Sequence, residues 1–190
     1  MKITLNNDHV YQVDGAIKPG VSEILQGAGI IDTRWYNDHA CLRGTYVHKA
    51  VQLYHRAGLN FKTLDPALEP YVRAYLDFLK RTDFRPVIIE EPGYDPVYDY
   101  CGTPDLIGYL KDELVLIDIK TGARPKWVGL QTAAYKKLFG LKIDLKPIVH
   151  RFALELRGNG KWSLTMLSNP RDIEIFLAAV SIHHFKRGRI

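Results

Sequence analysis

Cysteine is nearly absent from this 190-residue chain: Cys41 and Cys101 are the only two, and they lie far apart. No Cys-x-x-Cys pair occurs, so neither a structural zinc site nor a cysteine-ligated iron–sulfur cluster is expected. The two are read as reduced thiols of a cytosolic protein. Long apolar runs are missing too. Nothing approaches the length of a membrane span, and the opening MKITLNNDHVYQVDG lacks the apolar segment of a secretory signal. A soluble, cytoplasmic protein with no membrane partner is therefore expected. There is no Gly-x-x-x-x-Gly-Lys-Thr/Ser phosphate loop, which excludes an ATP-driven motor within the chain. Repeats, low-complexity tracts and linkers are also lacking, so the chain reads as one domain over 1–190. Acidic residues are in deficit, 21 against 26 Lys and Arg, for a net charge of +5. That balance suits an anionic partner such as nucleic acid.

The order of elements follows from periodicity and punctuation. Ile3–Leu5 and Val10–Val13 read as a hairpin. Ser22 is placed to cap a short helix ending near Gly27 or Gly29. Helical spacing is expected from Asp32 to His55, with Gly44 as a break, and again from about Pro66 to Lys80. Strands are expected over Pro86–Glu90, Tyr98–Leu110 and Leu114–Lys120, the last two joined by a turn at Lys111-Asp112. A helix follows from about Lys126 to Phe139, then strands near Ile148–Leu156 and Trp162–Leu167, then a last helix opened by Asn169-Pro170. The fold class expected is α/β, a single domain with a mixed central sheet flanked by helices.

The segment richest in chemistry is Leu114-Val-Leu-Ile-Asp-Ile-Lys120. On a strand, Asp118 and Lys120 project to one face. Burying that pair in a core would be expensive, so a sheet edge or a cleft is expected for it. In Gly102-Thr-Pro-Asp105 a second acid sits on the preceding strand, in hairpin relation to the first. Asp105, Asp118, the carbonyl of Ile119 and water make an oxygen-rich set of the kind Mg²⁺ or Mn²⁺ prefers. The chemistry suggested is phosphodiester hydrolysis, with Lys120 stabilising developing negative charge or orienting water.

The segment from Cys101 to Gly122 resembles the core of the PD-(D/E)XK nuclease superfamily, most closely its RecB-type exonuclease branch. Further elements of that branch stand in order. Gly44-Thr-Tyr-Val-His48 is similar to its Gly-x-x-x-His element, and Gln131-Thr-Ala-Ala-Tyr135 to its Gln-x-x-x-Tyr element. Glu90 or Glu91 lies where the branch often carries a glutamate, and Glu90 better fits the family's spacing to Asp105. Val21-Ser-Glu-Ile-Leu25 looks like the opening of phage and prophage members. The resemblance implies a restriction-endonuclease-like core over about 86–167, preceded by a helical part over about 21–82. It implies His48 as a metal ligand beside Asp105, Asp118 and Ile119, and catalytic roles for Glu90, Gln131 and Tyr135. With two cysteines, the chain resembles the branch's cluster-free members.

These features together imply a Mg²⁺- or Mn²⁺-dependent exonuclease acting on DNA with a free end. Recombination, repair or phage DNA processing is the expected setting, in a bacterial or phage-infected cell, with recombination or replication proteins as possible partners. Arg124, Lys126 and Trp127, in the loop after the Asp118 strand, are the expected DNA contacts. Two alternatives remain open: a structure-specific or restriction-type endonuclease, and a non-catalytic DNA-binding or assembly module on the same scaffold.

Overall fold

The computed structural model describes all residues except positions 7, 33, 35, 36, 141–145, 189 and 190. Strands β1 (Ile3–Leu5), β2 (Tyr11–Val13) and β3 (Ala16–Lys18) form a small antiparallel sheet. Then come helices α1 (Val21–Gly27), α2 (Asp38–His55) and α3 (Glu69–Thr82). Strands β4 (Arg85–Ile89), β5 (Gly93–Asp95), β6 (Tyr100–Gly102), β7 (Leu106–Leu110) and β8 (Glu113–Lys120) follow. Helix α4 (Val128–Phe139), strands β9 (His150–Leu156) and β10 (Trp162–Met166), and helix α5 (Asp172–Lys186) complete the chain. The main sheet runs β10-β9-β8-β7-β4. Within this sheet, among the described residues, only β8 and β9 pair in parallel, and α4 is the crossover between them. The result is a single α/β domain with a mixed five-stranded sheet flanked by helices.

The apolar run of β8 is explained by cover on both faces. Leu114 and Leu116 enter a core with Leu25 of α1, Ala134 and Leu138 of α4, and Phe176 and Val180 of α5. Val115, Ile117 and Ile119 enter a second core with Val47 and Val51 of α2 and Tyr75 and Phe78 of α3. Alternation therefore sends Asp118 and Lys120 toward α4 and leaves the intervening Ile119 facing α2. A buried ion pair, Arg151 to Asp172 at 3.0 Å, ties β9 to α5. Arg151 also donates to the Gly129 carbonyl at 2.6 Å, which anchors α4.

Several expectations are corrected. Gly44 does not break α2, which runs unbroken from Asn37, whose side chain caps the Ala40 amide. A glycine in mid-helix costs only about 0.5–1 kcal/mol, which the packing of Val47 and Val51 outweighs. Positions 33, 35 and 36, at the expected start of that helix, lie outside the described residues. The helix N-cap before α1 is Gly20, whose amide meets the Glu23 carboxylate at 3.4 Å, and not Ser22. Tyr98–Leu110 is not one strand. Pro104 has no amide to donate, and the run divides there into β6, which pairs with β5, and β7. The third small strand, β3, was also unforeseen.

Candidate active site

Strand β8 lies in the middle of its sheet, so the Asp118–Lys120 pair is not at a sheet edge; it stands at the strand's end. Asp118 is 1% exposed. Burial pushes its carboxyl up to about 6, although the neighbouring Lys120 ammonium opposes the rise. Asp118 Oδ2 lies 2.7 Å from Lys120 Nζ. No well-aligned hydrogen bond reaches that oxygen among the described residues. Lys120 also donates to Gln131 Oε1 at 3.4 Å. Gln131 Nε2 in turn donates to the Tyr135 hydroxyl at 3.1 Å. The two α4 residues share one helix face, and their chain of contacts holds the ammonium from the side.

Asp105 sits just before β7. Its Oδ2 accepts the Ile119 amide at 2.5 Å, and its Oδ1 lies 3.2 Å from His48 Nδ1. Burial favours its neutral form, but His48, Lys120 and the Ile119 amide outweigh burial and hold the carboxyl below its ordinary value. Glu90 follows β4, where a left-handed backbone (φ 50°) ends the strand. Its amide donates to the Asp105 carbonyl at 3.1 Å, and its Oε1 lies 3.2 Å from His48 Nδ1. Glu91 is exposed, so Glu90 is the glutamate in this group.

His48 enters from α2. Its Nε2 lies 3.1 Å from the Ile119 carbonyl and its Nδ1 faces both acids. Burial alone would favour the neutral ring. The Asp105 and Glu90 carboxylates reverse that and raise its pKa to about 10.

Ligating atoms of His48, Glu90 and Asp105 lie within 4.8 Å of one another. With the Ile119 carbonyl beside them, they offer oxygen and imidazole donors that fit Mg²⁺ or Mn²⁺. This gathering differs from the expected one. Glu90 stands with the ligand candidates, and Asp118 stands behind them against Lys120.

His48, Glu90, Asp105, Lys120, Gln131 and Tyr135 line a cleft of about 790 Å³, while Asp118 is buried and is not among the described residues lining it. Its walls include Gly44, Thr121, Gly122 and Trp127, whose ring centre lies 5.5 Å from Lys120 Nζ. Arg124 and Lys126 are exposed and are not among the described residues that line it. Arg124 pairs with Glu155 at 3.3 Å. Lining residues given no role from the sequence include Arg43, Tyr11 and Thr103. Tyr11 and Thr103 join hydroxyls at 3.0 Å and bring the N-terminal sheet to the cleft. No short-range pattern signals that contact, which spans 92 positions. Gly102 has a plain packing reason, since a Cβ there would sit 2.7 Å from the Tyr135 ring.

No protein-family model and no curated protein sequence matches the chain. Solved structures give low-identity likenesses. One is described as a "putative exonuclease" from Eubacterium rectale. It is 11% identical, with 88% of this chain and 74% of that one covered, at a TM-score of 0.49. An alkaline exonuclease from Laribacter hongkongensis is 14% identical, with 90% and 92% covered, at a TM-score of 0.37.

Proposed function

We propose that this chain is a divalent-metal-dependent DNA exonuclease of the RecB-type PD-(D/E)XK branch. The observation that carries the reading is convergence. His48, Glu90, Asp105, Lys120 and the Gln131–Tyr135 pair come from separate stretches of sequence and line one cleft, with the buried Asp118 paired to Lys120. A decorative Asp-x-Lys would have no reason to attract them.

His48, Glu90, Asp105 and the Ile119 carbonyl would hold the cation, with Asp118 adjoining. When bound, such a cation polarises a phosphate oxygen and lowers the pKa of a coordinated water. Asp105 is preorganised by the Ile119 amide. Lys120, held between Asp118 and Gln131, presents a positive charge where negative charge develops on the phosphate. Tyr135 and Gln131 position that ammonium. Trp127 offers an aromatic face to an unpaired base. Arg124 and Lys126 remain candidates for phosphates beyond the cleft, Arg124 only by exchanging Glu155 for a phosphate.

On this reading the helical part, about 21–82, contributes His48, and the core, about 86–167, contributes the carboxylates and Lys120. The substrate is DNA with a free end, and the setting is recombination, repair or phage DNA processing in a bacterial cytoplasm. No helix among the described residues is long and apolar enough to cross a membrane. The test is degradation of end-labelled linear DNA beside a covalently closed circle. Linear DNA should be lost with Mg²⁺ or Mn²⁺ and spared by chelator, and the circle should survive. Cutting of the circle would favour an endonuclease. Metal-independent binding without cleavage would favour a non-catalytic module.

A further inference from the structure

The α2 wall of the cleft carries a cation, Arg43, with no counterion among the described residues. Arg43 Nη2 donates to the Thr121 carbonyl at 3.2 Å, and the guanidinium lies 5.5 Å from the centre of the Tyr71 ring. Its Nε is buried and has no hydrogen-bond acceptor among the described residues. No carboxylate among the described residues lies within ion-pair distance of it. Two other cations near the cleft have carboxylate partners, Lys120 with Asp118 and Arg124 with Glu155. The exposed Lys49 has, among the described residues, only the neutral Gln52 amide, at 3.0 Å. A half-buried guanidinium with one unmet buried donor adds little to stability, and its remaining donors on the cleft wall suit an anion from outside the fold.

The glycines beside it point the same way. A Cβ on Gly44 would meet only Thr121 Oγ1, at 3.7 Å, and one on Gly122 only Arg43 Nη2, at 3.7 Å. Neither glycine is demanded by close packing within the protein. Gly44 nonetheless stands inside a helix, where glycine is unfavourable. Two bare backbones flanking a fixed guanidinium leave room for a chain to pass closely.

We infer that Arg43 is a phosphate-binding residue, seating a backbone phosphodiester of the bound strand against Gly44 and Gly122. The inference rests on the nucleic-acid reading above and adds a subsite to it. One edge of the planar fork is fixed by Thr121 while the rest serves the phosphate. The contact carries no base preference.

The test uses the full chain and fluorescein-labelled oligonucleotides, with Ca²⁺ replacing Mg²⁺ so that binding is read apart from turnover. Arg43→Gln should bind more weakly at every sequence. Its plot of log affinity against log salt should be shallower by about 0.7–0.9, one phosphate contact. Its Mn²⁺ titration should match the wild type. Arg43→Lys keeps the charge and loses the fork, so it should keep the slope with reduced affinity; this variant decides the matter if Arg43→Gln does not fold. A wild-type slope in folded Arg43→Gln, or a reduced slope in Arg43→Lys, overturns the inference. So does a loss of Mn²⁺ binding in Arg43→Gln, which would make Arg43 a support for α2. If the wild-type chain cleaves DNA while any of these results appears, only the subsite falls. If the wild type neither binds nor cleaves DNA, the functional reading falls with it.

Discussion

Asp118→Asn separates function from stability in a way few other substitutions here can. Burial raises the Asp118 carboxyl from 3.8 to about 6. A carboxyl whose folded pKa lies above its unfolded value contributes stability below about pH 3.8, and that stability is lost as pH rises through about 6. At pH 8 the ionised group therefore burdens the fold, by an upper bound of about 3 kcal/mol for a climb of this size. Asparagine removes that burden, and the lost pairing with Lys120 takes part of the gain back. The net expectation lies between zero and about 3 kcal/mol of added stability, or up to about 10 °C in the thermal midpoint for a chain of this length. The gain should shrink by pH 5, where the wild-type carboxyl is protonated. Activity should fall by about a thousandfold or more, since an anion that supports the cation and Lys120 is gone. Differential scanning fluorimetry at pH 5 and pH 8, beside release of acid-soluble nucleotides, reads both. A fall of several degrees at pH 8 would make Asp118 a structural residue, and wild-type cleavage by the folded variant would refute its place in the site.

Three further outcomes follow from the same geometry. His48→Ala should weaken Mn²⁺ binding in a calorimetric titration and lower activity less than Asp118→Asn, because two carboxylates and the Ile119 carbonyl remain; an unchanged titration would remove His48 from the ligand set. Gly102→Ala puts a Cβ 2.7 Å from the Tyr135 ring, so Tyr135 must shift and Gln131 and Lys120 with it; kcat should drop while Mn²⁺ affinity holds, and an unaltered kcat would make the pair dispensable. Burial lowers the His55 pKa, and its Nε2 lies 2.6 Å from the Tyr75 hydroxyl. A histidine depressed in the fold contributes stability above its unfolded pKa that is lost as pH falls through its folded value. Below about pH 6.5 wild-type stability should therefore decline more steeply than that of His55→Gln, as read by urea denaturation, and parallel curves would contradict the assignment.

Much of the framework could be read along the chain because its signals are local. The apolar run of β8, the Lys111-Asp112 turn and the β9–β10 pair follow from patterns a few residues long, and the structure has each of them. The short β5 was not foreseen, since Gly93-Tyr94-Asp95 is too brief to show alternation. Gly44 was misread because helix propensity is a weak prior that tertiary packing overrides. In the site, strand geometry pointed to Asp105 and Asp118 and the family resemblance to His48 and Glu90, yet neither could tell that Glu90 would stand with His48 and Asp105 while Asp118 turned to Lys120. That division depends on the left-handed residue after β4 and on the hidden face of β8. Arg43 and Tyr11 gain their meaning only from partners many residues distant, Thr121 and Thr103. Arg124 is expected at DNA because it closely follows β8; in the structure it pairs with Glu155 on the neighbouring β9.

Hydrolysis of DNA with a divalent cation in this cleft is the central claim. The most direct measurement compares nucleotide release from end-labelled linear DNA by the wild type and by Asp118→Asn, at equal folded concentration, in Mg²⁺ and then in chelator. Release is expected from the wild type in Mg²⁺ alone, with none above background in the other three reactions. Equal release by both proteins, or release that survives chelator, would contradict it.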